Sequence, residues 1–176
     1  AEGTLGLITA AALKLFPAFT SRATALVALP ALDMAPALLA RCRAATADQL
    51  VSFELLPRFG LDLAHQHFNA RNPLAHTADW SLLIEAATPA ADFDVSLALE
   101  RILGEALEDG QISDGLMAES EAQRTELWAL REGIVNAQPR EGAGIKHDIA
   151  VPVANVPDFV AEASASLKAA FPDVRL

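Results

Sequence analysis

Arg131 stands three residues after Trp128 and four before Val135, a spacing that puts all three on one stripe of a helix. A guanidinium beside an indole on a half-buried stripe either snorkels to water or clamps a carboxylate in a bidentate fork. Lys146 opens the string Lys-His-Asp-Ile-Ala-Val, whose alternation reads as a strand with Lys146, Asp148 and Ala150 on one face. If the helix covers that sheet, Lys146 can meet Arg131, and two converging cations need an anion between them.

The remaining candidates read more plainly. In Glu2-Gly3-Thr4-Leu5-Gly6-Leu7-Ile8-Thr9, two glycines bracket an otherwise apolar string. It is either a close backbone approach to a planar or phosphorylated group, or a turn into an edge strand. His65, His67 and His76 crowd one connector. The first two would point about 200° apart on a helix, so they read as solvated histidines rather than metal ligands. Glu54 and Glu85 interrupt apolar strands, facing either solvent or a pocket. Asp92 and Asp94 suit helix capping better than metal binding. The sequence contains no phosphate-binding loop, nucleophile elbow or zinc-ligand pair.

The elements that must position these groups can be read from period and caps, because alanine is too abundant for propensity to discriminate. Helices are expected over 34–45 after Asp33, from Asp92 or Asp94 onward, over about 121–136 behind a Ser120/Gln123 capping box, and over about 156–170 behind Asn155. Strands are expected at 25–29, 50–55, 80–86, 112–117 and 147–151. Two β-α-β units, starting at Ala25 and Trp80, share one antiparallel sheet in this reading. The fold class is α+β, ferredoxin-like, with an antiparallel sheet and helices packed on one face. A doubly wound parallel sheet is the rival, but no Gly-rich turn follows the first strand.

The chain has 176 residues, 52% of them hydrophobic, with 13 basic against 23 acidic side chains and a net charge of −10. That size predicts one compact core. The acidity argues against nucleic acid and anionic membrane surfaces. A single cysteine, Cys42, rules out an internal disulfide or a Cys-rich zinc site and fits a reducing compartment. No apolar run approaches the roughly 20 residues of a membrane span. The chain starts at Ala1 with no signal-like leader and ends in Phe-Pro-Asp-Val-Arg-Leu, so it is expected to be a piece of a longer protein.

Taken in order, the strings at 2–9 (Glu-Gly-Thr-Leu-Gly-Leu-Ile-Thr), 13–17 (Leu-Lys-Leu-Phe-Pro), 52–55 (Ser-Phe-Glu-Leu), 127–132 (Leu-Trp-Ala-Leu-Arg-Glu) and 146–153 (Lys-His-Asp-Ile-Ala-Val-Pro-Val) resemble the FAD-linked oxidase family. That family includes D-lactate dehydrogenases, the glycolate oxidase flavin subunit and D-2-hydroxyglutarate dehydrogenase. The resemblance implies that residues 1–20 are the tail of an FAD-binding domain and 21–176 most of a C-terminal substrate, or cap, domain. It implies FAD beside Gly3, Gly6 and Ile8, and a substrate carboxylate held by Arg131 and Lys146. A divalent metal is implied in the parent protein, on histidines beyond Leu176.

The activity implied is oxidation of a D-2-hydroxy acid (lactate, glycolate or 2-hydroxyglutarate class) to the 2-oxo acid, with electrons leaving FAD for an acceptor protein or a quinone. A cytoplasmic or membrane-peripheral location and a homodimer are compatible with it. Members resembling 2-hydroxyglutarate dehydrogenase carry a hydroxyl residue four positions after the arginine, where this chain has Val135. Valine cannot donate a hydrogen bond to a second carboxylate, which argues against a dicarboxylate substrate. The alternative is a stand-alone, non-catalytic ferredoxin-like module that binds a ligand or dimerises through its sheet.

Overall fold

The computed structural model describes residues 3–75, 78–146 and 148–176. Along the chain run β1 (Ser21–Leu29), α1 (Ala35–Ala45), β2 (Leu50–Pro57), α2 (Arg58–Phe68), β3 (Trp80–Thr88), α3 (Val95–Glu108), β4 (Asp114–Met117), α4 (Glu121–Ala137) and α5 (Val156–Ala170). The four strands form one sheet in the order β2-β3-β1-β4, every neighbouring pair antiparallel. This is the arrangement of two interleaved β-α-β units, and the α+β, ferredoxin-like reading holds.

Helix starts follow the expected caps. Asp94 accepts a hydrogen bond from the Leu97 amide and opens α3. Ser120 accepts from the Gln123 amide at 3.2 Å, while the Gln123 side chain reaches back to the Glu119 amide at 2.6 Å, so two otherwise orphaned donors at the start of α4 are satisfied.

Helix placement corrects one part of the expectation: the sheet is covered on both faces. Ala25, Val27, Leu82 and Ile84 pack with Leu38 of α1 and with Leu99 and Ile102 of α3. Leu26, Ala28 and Leu83 point the other way and pack with Leu61 of α2 and with Leu127 and Leu130 of α4. Both central strands are therefore apolar on alternate and intervening positions alike, the pattern of strands buried on two sides. The second layer depends on α2, which lies within what the sequence presents as a connector. Its C-terminal signal is Asn69, in the left-handed conformation at φ 55°.

The expected strand at 147–151 is also corrected. Residues 148–151 form no strand, and Ile149 is exposed; His147 lies outside the described residues, as does His76. An alternating string becomes a strand only where a partner edge accepts it, and this one joins neither β2 nor β4 at the sheet edges. Residues 3–19 likewise form no strand. Leu5, Leu7, Ile8, Leu13 and Leu15 along this arm are exposed.

Candidate functional site on the α4 face of the sheet

Alternation along β1, β2 and β3 brings Thr24, Ser52, Glu54 and Glu85 to the face that α4 covers, with Thr24 and Ser52 directly opposite Glu85. Glu85 is 4% exposed, and its burial is matched by donors. Thr24 Oγ1 donates to Oε2 at 2.8 Å and Trp128 Nε1 to the same oxygen at 2.8 Å. Arg22 Nη1 donates to Oε1 at 2.9 Å, and Arg124 Nη1 lies 3.6 Å from Oε2. A buried carboxylate is tolerated only with such a complete set of partners. Glu85 is thus a structural anchor between α4 and the sheet centre, not a free acid or base.

One helical turn beyond Trp128, Arg131 Nε donates to Glu54 Oε2 at 3.4 Å. Ser52 Oγ holds the other Glu54 oxygen at 3.3 Å. Both members of this pair are water-accessible, with side-chain exposures of 41% for Arg131 and 36% for Glu54. Two sides of α4 therefore behave differently. Leu127 and Leu130 are buried and Ile134 packs with them, whereas Arg131 sits at the boundary of the core and Val135, four residues on, is 48% exposed.

Among the described residues, the anion that Arg131 meets is Glu54. Lys146 is exposed and takes part in no ion pair among the described residues. Sequence reasoning left Glu54 and Glu85 between solvent and pocket, and the structure separates them: Glu85 is sealed under α4 and Glu54 stays at its rim. Distance along the chain hid both pairings, since Arg131 and Glu54 lie 77 residues apart.

The two described histidines of the connector, His65 and His67, lie in different surroundings. His65 is exposed and His67 Nε2 donates to Glu141 Oε1 at 2.5 Å. Among the described residues no group of three His, Cys, Asp or Glu side chains is placed to hold a metal ion. Cys42 is buried, and burial pushes its thiol up to about 12, which leaves it an inert core side chain. Gly3 and Gly6 adopt positive φ values of 82° and 155°, but a Cβ built at either meets nothing within 4 Å.

Fold and site together define an α+β domain with a water-accessible arginine, Arg131, at the rim of a core packed on both faces of its sheet. A family model for FAD linked oxidases, C-terminal domain, matches residues 19–174, and the chain belongs to that family. It is 34% identical over 172 residues to a D-2-hydroxyglutarate dehydrogenase of Xanthomonas citri pv. viticola, covering 98% of this chain and 35% of that protein. It is 31% identical over 160 residues to the mitochondrial D-2-hydroxyglutarate dehydrogenase of Arabidopsis thaliana, covering 90% of this chain and 28% of the relative. A putative mitochondrial D-lactate dehydrogenase of Schizosaccharomyces pombe is 26% identical over 160 residues, covering 90% and 30%. The chain spans about a third of the length of the curated relatives it matches.

Proposed function

We propose that this chain is the substrate-domain part of a flavoenzyme that oxidises a D-2-hydroxy acid to the 2-oxo acid, and that Arg131 and Lys146 hold the substrate carboxylate. The observation that carries the reading is Arg131 itself. It lies in the Leu-Trp-Ala-Leu-Arg-Glu string of a chain matched to the family over 19–174, and it is a half-exposed guanidinium with, among the described residues, a single loose ion-pair partner. A carboxylate gripped by such a fork is fixed in orientation, which raises effective molarity without the arginine making or breaking a bond.

FAD, when bound in the complete protein, supplies the hydride acceptor. Residues 1–20, with Gly3, Gly6 and Ile8, would belong to its domain, and residues 21–176 to the substrate domain. Electrons would then pass to an acceptor protein or quinone. Among the described residues, no helix is long and apolar enough to cross a membrane. The divalent metal of this reading has no ligand set among the described residues, so no step is assigned to it.

Within the hydroxy-acid class, Val135 favours a monocarboxylate. It stands exposed one turn past Arg131 and offers no donor, so a second carboxylate gains no hydrogen bond there. The test uses Arg131→Ala in the intact flavoprotein, assayed with D-lactate and D-2-hydroxyglutarate. The expected result is a KM raised by about tenfold or more for the accepted acid, the loss typical of a charge-assisted contact. An unchanged kcat/KM overturns the assignment.

A further inference from the structure

We infer that Glu54 is a positioning residue for Arg131: it holds the Nε edge of the guanidinium and leaves the Nη1/Nη2 edge free to receive a substrate carboxylate end-on. The inference rests on the proposed role of Arg131. Glu54 is fixed from below, since its strand β2 pairs with β3 in register with Leu83 and Ser52 Oγ donates to its Oε1. Its Oε2 then accepts from Arg131 Nε alone at 3.4 Å. Among the described residues no partner engages either Nη atom of Arg131. A guanidinium is a rigid planar fork, so fixing one edge sets the direction of the others.

Two effects of Glu54 oppose each other. Its negative charge repels an incoming carboxylate, but both groups are water-accessible, where the high dielectric keeps repulsion beyond contact distance to a few-fold. Against that, a free arginine side chain has rotamer freedom whose loss costs a binding constant more than tenfold. Holding Arg131 in place before substrate arrives removes part of that cost, so ordering outweighs repulsion. A residue that only stabilised α4 would show neither the charge-geometry dependence nor the coupling to Arg131.

The test is a double-mutant cycle in the intact flavoprotein. Glu54→Ala is expected to raise KM for the hydroxy acid by about tenfold with kcat within about twofold, and Glu54→Gln, whose amide oxygen still accepts from Nε, to restore KM to within about threefold of wild type. In an Arg131→Ala background, Glu54→Ala should add no further increase. Ser52→Ala, which frees Glu54 from the other side, should raise KM by a smaller factor and provides the readout if Glu54→Ala folds poorly. A lowered or unchanged KM in both Glu54→Ala and Ser52→Ala, or an equal rise with and without Arg131, overturns the positioning role. An Arg131→Ala enzyme with unchanged kcat/KM overturns the carboxylate reading on which it rests, and is distinguished by needing no Glu54 variant to see it.

Discussion

Trp128 on α4 and Glu85 at the centre of β3 are joined by a 2.8 Å hydrogen bond from the indole Nε1 to Oε2, and this bond fixes the helix that carries Arg131 against the sheet. Trp128 and Arg131 are one turn apart, so whatever sets the rotation of the helix at the indole also sets the direction of the guanidinium. Hydrophobic packing by Leu127 and Leu130 holds α4 down, but apolar contact is non-directional. The polar contact with Glu85 selects the rotation.

Removing that anchor should be costly. In Glu85→Ala the buried Thr24 hydroxyl and the Trp128 indole both lose their acceptor, while Arg22 and Arg124, with side chains 35% and 28% exposed, fall back on water. Two orphaned neutral donors, partly relieved by water at the arginines, predict a loss of about 2–4 kcal/mol. For a chain of this size that is a fall of roughly 5–12 °C in Tm. Glu85→Gln keeps one acceptor oxygen and should lose less than half as much. Thermal unfolding of both variants checks this, and a Tm for Glu85→Ala within 1–2 °C of wild type would contradict the anchor.

Much of this architecture was legible because its signals are local. Ser120 and Gln123 mark the start of α4 three residues apart, Asp94 marks α3, and the apolar runs at 25–29 and 80–86 mark the two central strands. What was not legible depends on partners far away in sequence. Alternation assigns Glu54 and Glu85 to one face of a sheet, yet it does not tell which faces are covered. Here the covering helices α2 and α4 approach each other through small residues, Gly60, Ala64 and Gly133, and α2 begins behind Pro57 with no capping side chain to mark its start. The string that opens at Lys146 fails in the opposite sense: it has a strand's pattern, yet residues 148–151 pair with neither edge strand, β2 or β4.

Two helical glycines, Gly104 and Gly133, give a substitution whose sign depends on position. Gly104 lies in the exposed middle of α3, where an added Cβ meets nothing within 4 Å. Gly104→Ala should therefore gain most of the helix-propensity difference, about 0.5–1 kcal/mol. At Gly133 the added Cβ would stand 3.0 Å from the Ala64 Cβ, a rigid neighbour on α2 that yields only if the helices part. Overpacking of about 1–3 kcal/mol should exceed the propensity gain, making Gly133→Ala net destabilising. Urea unfolding of the two variants should move the midpoint in opposite directions, and a stabilised Gly133→Ala would show that α2 and α4 are less closely packed than described.

Acid should release the chain's C-terminal segment through one carboxylate. Glu141 lies at the end of the 3-10 turn Gln138–Glu141 and joins α2 to the C-terminus, accepting from His67 Nε2 at 2.5 Å and from Arg175 Nη1 at 2.6 Å. The hydrogen bond from His67, and then that from Arg175, hold its carboxyl below the ordinary value of 4.5. A carboxyl whose folded value is depressed adds stability that is present in full above the unfolded value and drains away as pH falls through the folded one. The contribution should thus be complete at pH 6, begin to fade near 4.5, and vanish once Glu141 is protonated in both states. Glu141→Gln lacks that titration while keeping the side-chain shape. Its Tm should lie below wild type at pH 6, and the gap should narrow as pH falls below the ordinary value of 4.5, where other acid effects act on both proteins alike. A gap that stays constant as the pH is lowered would mean that the carboxylate's contacts with His67 and Arg175 contribute nothing to holding the C-terminal segment.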